Sequence, residues 1–314
     1  MNYKLIERLK RINKIQSSDL YIDRFLSSAV KTTSRTKIQI KFGKAKKIKS
    51  LEKNKIINAY DKALKILEQI TNSFSNVFAL NEIYQKLLSY DDIEFDEINK
   101  AIDKITKVSE SLNKKLEDVK YKLKKSKETE RIYSIQNSAI GFLTSKLERL
   151  NNTFTYLENA RKILRNLPYF KDDHITVAIS GFPNVGKSTL LKKITTADPE
   201  IQPYSFTTKG LNLGYYKNYQ FIDTPGTLNR TKLNKIEQKA ELILTEVADK
   251  IIFVVDSTLG YGIDKNKKLY DKLKKLNKPI IIYVSMTDIE SPDKVREAFG
   301  NDVITDAKEI ISKL

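Results

Sequence analysis

Apolar residues recur along the first half of the chain at steps of three and four, the spacing that places them on one face of a helix. The clearest run comprises Phe95, Ile98, Ile102, Ile105, Val108, Leu112, Leu116, Val119 and Leu123. A second run extends over 130–166, and the polar stretch 124–130 separates the two. This pattern predicts two long helices that pair antiparallel. Shorter helical patterns occupy 19–28 and 56–90, and the rest of 1–30 is predicted to be irregular.

The pattern changes after Pro168, which ends the last helix of the first half. Short β-branched runs then alternate with helical patterns, which predicts a mostly parallel sheet. The predicted strands are 175–180, 211–216, 219–222, 251–255, 280–284 and 302–305. Because a short polar turn joins the second and third strands, we expect a hairpin with one antiparallel edge strand. We therefore predict an all-α helical-bundle domain over 1–170 and an α/β domain with a six-stranded sheet over 171–314, with the boundary at 167–174.

The composition narrows the class of protein. Hydrophobic residues make up 40% of the 314 residues, which is enough for a sizeable core. No run of 18 apolar residues is present, and the first residues lack the apolar segment of a signal peptide. We therefore expect a soluble, cytoplasmic protein. The absence of cysteine excludes a disulfide framework and a thiolate metal site, and one histidine cannot form a zinc cluster.

Positive charge is concentrated in the first half of the chain. The net charge is +18; residues 1–174 carry 36 Lys and Arg against 22 Asp and Glu, and residues 175–314 carry 21 against 17. This asymmetry indicates a polyanionic partner, either nucleic acid or an anionic membrane surface. The most basic stretch, 31–55, has Glu52 as its one acid, which predicts contact with a nucleic-acid phosphate backbone. Phe42 is its one aromatic residue, so base stacking is not indicated.

A glycine-rich motif follows the first predicted strand. Gly181-Phe-Pro-Asn-Val-Gly-Lys-Ser188 matches the G-x-x-x-x-G-K-[ST] pattern of phosphate-binding loops, with a helical pattern directly after it. Backbone N–H groups of the loop and the helix N-terminus would point at nucleotide phosphates. Lys187 would reach the β- and γ-phosphates, and the Ser188 hydroxyl would bind Mg²⁺. The loop residues assigned to the nucleotide are Asn184, Val185, Gly186, Lys187, Ser188 and Thr189.

The second motif, Asp223-Thr-Pro-Gly226, also follows a predicted strand. Asp223 would hold Mg²⁺, mainly through water, and the N–H of Gly226 would contact the γ-phosphate and so sense its hydrolysis. The loop 202–209 lies between the two motifs and should supply the threonine that completes the Mg²⁺ shell. Thr208 is our choice, and Thr207 is the alternative.

A third element should read the base. In guanine-specific P-loop proteins, Asn-Lys-x-Asp follows the corresponding strand, and its carboxylate accepts two hydrogen bonds that adenine cannot supply together. Asp288 is in register, but Ser285 and Met286 replace Asn and Lys. Ser285 can donate one hydrogen bond and Met286 can cover the ring by packing, so guanine affinity should be weakened and base selectivity stays open. Ala307, in Asp-Ala-Lys, is assigned to the guanine oxygen through its backbone N–H.

The predicted catalytic residues are Lys187, Thr208 and Gly226. Thr227 occupies the position where many GTPases carry a water-orienting glutamine. No arginine finger is evident, although Arg230 lies nearby in the sequence. These groups are worth orders of magnitude in rate, so we expect slow intrinsic hydrolysis.

These motifs resemble a known family. The phosphate loop, the Phe-Thr-Thr sequence within 202–209 and Asp223-Thr-Pro-Gly226 are similar to the Obg-like translation-factor GTPases, and within them to the nucleolar GTP-binding protein (Nog-type) family and its archaeal relatives. Residues 154–161 and 164–168 resemble that family's helix running into its G domain. The resemblance covers nearly the whole chain. Eukaryotic members continue past the G domain, whereas this chain stops at Leu314, and its richness in Lys and Ile fits an archaeal member.

The resemblance implies a fold and a set of partners. It implies a helical domain followed by a Ras-like P-loop GTPase domain that binds GTP or GDP with Mg²⁺. It also implies a role in assembly of the large ribosomal subunit, with the helical domain packing on large-subunit ribosomal RNA within a pre-ribosomal particle. Neither DNA nor a membrane is expected as a partner, and we expect a ribosome-associated protein that is monomeric away from the ribosome.

Two functions remain open from the sequence. The first is a Mg²⁺-dependent GTPase switch whose nucleotide state controls RNA binding. The second is an RNA-binding assembly scaffold with a degenerate, structural nucleotide site, which Ser285, Met286 and Thr227 favour. An ATP-using P-loop enzyme is a more distant third.

Overall fold

The chain divides into two compact units. The computed structural model describes residues 2–35, 44–195, 200–202, 211–226 and 233–314. The helical unit consists of residues 8–79 and 93–165. The α/β unit consists of residues 1–7, 80–92 and 166–314.

Helices and strands succeed one another as follows. The helices are α1 (Asn2–Lys10), α2 (Ser18–Arg35), α3 (Lys44–Ser75), α4 (Glu82–Ser89), α5 (Phe95–Lys125), α6 (Thr129–Glu148), α7 (Asn151–Arg165), α8 (Lys187–Ile194), α9 (Lys235–Leu242), α10 (Ile263–Lys274), α11 (Asp293–Phe299) and α12 (Ala307–Lys313). The strands are β1 (Ile175–Ser180), β2 (Glu200–Gln202), β3 (Leu211–Tyr216), β4 (Tyr219–Asp223), β5 (Lys250–Asp256) and β6 (Ile280–Ser285). A 3₁₀ turn spans Asn76–Ala79, and a π-helical turn spans Ile243–Val247.

The core of the helical unit lies around α3, which packs along α2, α5 and α6. The apolar stripe of α5 faces inward, with Ile98, Ile105, Leu112, Leu116, Val119 and Leu123 buried. Tyr60 of α3 is fully buried, and its hydroxyl donates a hydrogen bond to the Ala139 carbonyl of α6 at 2.7 Å. The long helix predicted from the run between Phe95 and Leu123 is therefore confirmed, and the spacing of three and four residues marks its buried face.

The helical predictions were wrong in two places. Residues 1–30 are not mainly irregular, because α1 and α2 occupy most of them. The run over 130–166 is not one helix, because it breaks between α6 and α7 at Asn151. The side chain of Asn151 accepts hydrogen bonds from the backbone N–H and the hydroxyl of Ser18, at 3.2 and 3.1 Å. Asparagine is a poor helix former, and at the break the Asn151 side chain bonds to Ser18, which is 133 residues away in the sequence.

The α/β unit contains a mixed sheet with the strand order β2-β3-β4-β1-β5-β6. The strand β1 pairs in parallel with β4 and with β5, and β5 pairs in parallel with β6. The strand β3 pairs antiparallel with both β4 and β2. Because β1 and β4 are parallel neighbours, their carboxyl ends lie side by side, with Ile179 opposite Asp223.

Five of the six predicted strands are present, and the prediction of a strand at 302–305 was wrong. Ile304 makes only an isolated bridge to Tyr283. A turn at 301–302 precedes this bridge, and the Asp306 side chain caps α12 just after it, accepting from the N–H of Lys308 at 3.0 Å, so too few extended residues remain for a strand. The sheet instead gains β2, which is too short for a period-two pattern. The antiparallel strand β3 is consequently not an edge strand.

The segment 80–92 lies within the predicted domain of 1–170 but groups with the α/β unit. Its helix α4 packs against α9. Tyr84, Leu87 and Leu88 are buried at 0–1% exposure, which anchors the segment. Among the described helices, none has the length and apolarity needed to cross a bilayer.

Candidate active site

The phosphate loop lies between β1 and α8, where the sequence placed it. Gly181 has φ +153°, and a Cβ there would lie 2.5 Å from the Val254 carbonyl oxygen of β5. Gly186, the residue before α8, has φ +87°. Both positions need glycine, the first for close approach and the second for its left-handed backbone. The loop therefore turns sharply just before the N-terminus of α8, the kind of terminus that binds anions.

Lys187 is held under this loop. Its side chain is 7% exposed, and Nζ donates a hydrogen bond to the Phe182 carbonyl at 2.7 Å. Burial lowers the pKa of Lys187, and the negative charge of Asp223 acts in the opposite direction. Among the described residues, no carboxylate forms a hydrogen bond with this buried ammonium, which is well suited to pair with a phosphate.

Ser188 and Asp223 meet at the carboxyl edge of the sheet. The Ser188 hydroxyl donates to Asp223 Oδ2 at 2.5 Å, and the Asn212 amide donates to the same oxygen at 3.1 Å. Asp223 is the last residue of β4 and is 8% exposed. A hydroxyl and a carboxylate are hard oxygen ligands of the kind Mg²⁺ prefers, so this pair fits the predicted metal set. Thr208, the third predicted ligand, lies outside the described residues, as do Thr207, Thr227 and Arg230.

The loop after β4 is fixed to β1 and approaches the phosphate loop. Both the N–H and the hydroxyl of Thr224 donate to the Ile179 carbonyl, at 3.1 and 2.8 Å. A Cβ on Gly226 would lie 2.5 Å from Pro183 N and 2.7 Å from Pro183 Cα. Glycine is thus required where the two motifs touch. The arrangement puts the Gly226 backbone beside the phosphate loop.

Ser285 contacts the phosphate loop. Its hydroxyl donates to the Val185 carbonyl at 2.7 Å, so its one proton is engaged there. The next residue, Met286, has φ +56°, and its carbonyl accepts from the Ser257 hydroxyl at 2.7 Å. This network holds the end of β6 against the loop.

Asp288 and Ala307 lie on the two segments that follow the end of the sheet. Asp288 is exposed, in a turn where the N–H of Ile289 donates to the Met286 carbonyl at 2.9 Å. Ala307 is the first residue of α12 and is buried, and α12 packs against α8 and β6. A carboxylate and a helix N-terminus are therefore available beyond β6.

Two features of the site were not found from the sequence. Asn212 reaches Asp223 because β3 and β4 pair in a register that sets the two residues opposite each other. The predicted hairpin was the one sequence feature that indicated a contact between these two strands. Tyr261 stacks on Phe182 of the phosphate loop, with ring centroids 4.4 Å apart and planes 10° from parallel. No short-range pattern marks Tyr261, because its partner lies on a different loop.

Two families match the chain. Residues 9–171 match the NOG1 N-terminal helical domain, and residues 176–286 match the 50S ribosome-binding GTPase family. The first match covers the helical unit, and the second covers the phosphate loop, the Asp223–Gly226 loop and Ser285.

Curated relatives cover most of the chain. An uncharacterised protein of Methanocaldococcus jannaschii is 33% identical over 255 residues, which cover 80% of this chain and 72% of that protein. Nucleolar GTP-binding protein 1 of Drosophila melanogaster is 30% identical over 301 residues, covering 92% of this chain and 45% of that protein. The chain spans less than half the length of the nucleolar GTP-binding relatives it matches.

Among solved structures, the G domain of the T. maritima FeoB iron transporter is similar to part of the chain. It is 23% identical with a TM-score of 0.36, and the match covers 45% of this chain and 96% of that domain.

Proposed function

The chain belongs to the NOG1 family and carries a GTPase domain, and from this premise we propose that it is a Mg²⁺-dependent GTP-binding and GTP-hydrolysing switch in assembly of the large ribosomal subunit. The observation that carries the proposal is the meeting of Ser188 and Asp223 beside the buried Lys187. Two motifs 35 residues apart thus converge on one site with the chemistry that phosphates and a divalent cation need.

The residues of this site have complementary tasks. The backbone N–H groups of the loop, from Asn184 to Thr189, bind the phosphates, and Lys187 pairs with the β- and γ-phosphates. Ser188, Thr208 and Asp223 would hold Mg²⁺, which neutralises phosphate charge during transfer. The Gly226 N–H contacts the γ-phosphate, so that loss of this group releases its loop. Slow hydrolysis follows if no glutamine or arginine orients water and stabilises the transferred charge.

The base is read beyond β6. Asp288 accepts hydrogen bonds from the guanine N1–H and exocyclic amine, and the N–H of Ala307 contacts the guanine oxygen. Ser285 supports the pocket indirectly, because its hydroxyl holds the end of β6 on the phosphate loop. Adenine cannot supply these two donors together, so its binding would leave the Asp288 carboxylate without them. Discrimination against adenine then depends on Asp288.

The helical unit docks on ribosomal RNA. The ten cations of 31–55 supply the charge, and the exposed Lys53 is among the residues whose side chains are described. Packing of α3 against α5 adds an aromatic residue, because Lys53 and Tyr121 line one groove of about 650 Å³. Tyr121 is 57% exposed, with the ammonium of Lys125 4.4 Å from its ring centroid. An exposed ring among cations favours stacking of an unpaired base as well as backbone contact.

The remaining parts of the proposal concern organisation and location. We keep 1–170 and 171–314 as the two functional domains, and we keep the antiparallel pairing of α5 and α6. A hydrogen bond from Lys115 of α5 to Ser138 of α6, at 3.4 Å, supports that pairing. The protein would act in the cytoplasm as a ribosome-associated monomer that contacts neither DNA nor membranes.

One observation favours a second function, an RNA-binding scaffold with a structural nucleotide site. Ser285 and Met286 stand where a guanine site carries Asn and Lys, and the hydroxyl of Ser285 is engaged by the protein itself. A scaffold would keep its fold and RNA contacts without using nucleotide turnover.

Replacing Lys187 separates the two functions. We expect Lys187→Ala to lose nucleotide-dependent release from the pre-ribosomal particle, because the phosphates lose their buried cation. Release is measured by sedimentation of the particle with GTP or with GDP. The matched control is Lys192→Ala, an exposed lysine on the same helix. Unchanged release in Lys187→Ala would contradict the switch and support the scaffold.

A further inference from the structure

The segment 80–92 joins the two units through the chain. Residues 8–79 and 93–165, on either side of it in the sequence, belong to the helical unit, whereas the segment itself belongs to the α/β unit. The N-terminus of its helix α4 is capped, because the Asn81 side chain accepts from the N–H of Tyr84 at 3.2 Å. The segment is therefore a folded part of the α/β unit that carries a covalent connection to the helical unit at each end.

The helix that α4 packs against, α9, is the next helix after the Asp223–Gly226 loop. It begins with a capping box in which the Asn234 side chain accepts from the Glu237 N–H at 2.8 Å, and Glu237 accepts from the Asn234 N–H at 3.0 Å. This reciprocal cap makes the start of α9 well defined. Any displacement of α9 would thus be a displacement of a formed helix.

Two aspartates follow Tyr90, the C-cap residue of α4, where the negative end of the helix dipole makes carboxylates unfavourable. The lysines of α9 offset this cost. Asp91 pairs with Lys239, and Asp92 pairs with Lys235. The two lysines are one helical turn apart, so they present both ammonium groups to the same side of α4. A third pair joins Lys86 of α4 to Glu246, at 2.8 Å.

The pair of Asp91 and Lys239 differs from the others in its burial. The side chain of Lys239 is 2% exposed and that of Asp91 is 14% exposed, whereas the side chains of Lys235 and Asp92 are more than half exposed. Burial lowers the pKa of Lys239, and the hydrogen bond that Lys239 donates to Asp91 opposes that shift. Removing one member of a buried ion pair is far more disruptive than removing an exposed one. Loss of the ion pair between Asp91 and Lys239 would therefore disrupt the contact between segment 80–92 and α9 more than loss of the exposed pair.

We propose that Asp91 and Lys239 are positioning residues that make segment 80–92 move with α9, so that the state of the nucleotide reaches the helical unit through the chain connections at both ends of the segment. The inference rests on the proposed function, because it needs a loop whose position depends on the γ-phosphate. Linkage makes the coupling reciprocal. RNA bound to the helical unit would change the affinity of the site for GTP relative to GDP by the same factor.

Hydrogen exchange on the full chain tests the coupling. The amides of α4 are measured with GDP and with a non-hydrolysable GTP analogue. In the wild type we expect their exchange rates to differ between the two nucleotides by about fivefold or more, as for a cooperative local opening. The substitution Asp91→Asn should remove the difference. The charge swap Asp91→Lys with Lys239→Asp should restore it, because the ion pair rather than either side chain alone carries the coupling.

The matched control is Asp92→Asn, which removes an exposed pair on the same segment and should leave the difference in place. If Asp91→Asn does not fold, the wild-type comparison still decides, because equal α4 exchange with both nucleotides would overturn the coupling. Titration of the same samples with fluorescent GDP separates the two levels of the argument. Absent nucleotide binding contradicts the proposed function and the coupling together, whereas normal binding with equal α4 exchange contradicts the coupling alone.

Discussion

At the scale of single residues, the site depends on side chains that hold the phosphate loop as much as on those that face a ligand. Ser285 stands where the guanine pattern has Asn, and its hydroxyl binds the loop carbonyl of Val185. A Cβ on Gly186 would lie 3.4 Å from the Cβ of Ser285, so the loop and β6 are in tight contact. Position 285 thus supports the loop, and we propose that Asp288 recognises the base.

The closeness of Gly226 to Pro183 gives a prediction at this scale. A Cβ at 226 would lie 2.5 Å from a backbone atom, and overpacking of this kind costs about 1–3 kcal/mol. We expect Gly226→Ala to lower GTP affinity by about tenfold and GDP affinity less, because the γ-phosphate contact is lost. Competition titration with a GTP analogue and with GDP measures the ratio.

Gly141 provides the control for that substitution. It lies inside α6, and a Cβ there would meet nothing within 4 Å. Gly141→Ala should raise the free energy of unfolding by about 0.5–1 kcal/mol and leave nucleotide affinity unchanged. An unaltered ratio of GTP to GDP affinity in Gly226→Ala would show that Gly226 does not sense the γ-phosphate.

At the scale of helices and strands, short-range patterns predicted most of what was found. The buried face of α5 and the five correct strands follow from periods of 3.6 and two residues. The positions of Lys187 and Ser188 in the first turn of α8, and of Asp223 at the end of β4, follow from the motifs and the elements beside them. The break at Asn151 and the contact of Asn212 with Asp223 were not predictable, because each depends on a partner brought close only by tertiary packing or strand register. The groove lined by Lys53 and Tyr121 was not predictable either, because it forms only when α3 packs against α5.

The basic stretch 31–55 and that groove each give a prediction about RNA. Reversing the charge of Lys44, Lys46, Lys47 and Lys49 should weaken RNA binding and flatten its salt dependence, because fewer counterions are released.

Tyr121→Ala should weaken binding of single-stranded RNA by about tenfold with the salt dependence unchanged, because stacking carries no charge.

Two variants control the RNA measurement. Tyr121→Phe keeps the stacking ring, and Tyr133→Ala removes another exposed tyrosine. Both should bind RNA as the wild type does. An oligonucleotide of abasic sites should bind Tyr121→Ala and the wild type equally. Full binding of ordinary RNA by Tyr121→Ala would remove Tyr121 from the interface, and full binding after charge reversal would remove the basic stretch.

At the scale of the whole molecule, the excess positive charge and the GTPase match lie in different parts of the sequence. Positive charge is concentrated in residues 1–174, whereas the GTPase match begins at residue 176. The segment 80–92 crosses that separation, because it is folded with the α/β unit but lies within the helical sequence. In the switch that we propose, the nucleotide site and the RNA-binding surface lie on one chain, with the nucleotide state as the input and RNA binding as the output.

The most direct test of this account is the nucleotide selectivity of the purified chain. Fluorescent GDP is titrated at millimolar Mg²⁺ and displaced with GTP, GDP, ATP and ADP, in the wild type and in Asp288→Asn. The account predicts displacement by guanine nucleotides alone, and loss of that preference in Asp288→Asn, because the carboxylate reads two donors that adenine cannot present together. Equal displacement by adenine nucleotides, or no binding of any nucleotide, would contradict the switch.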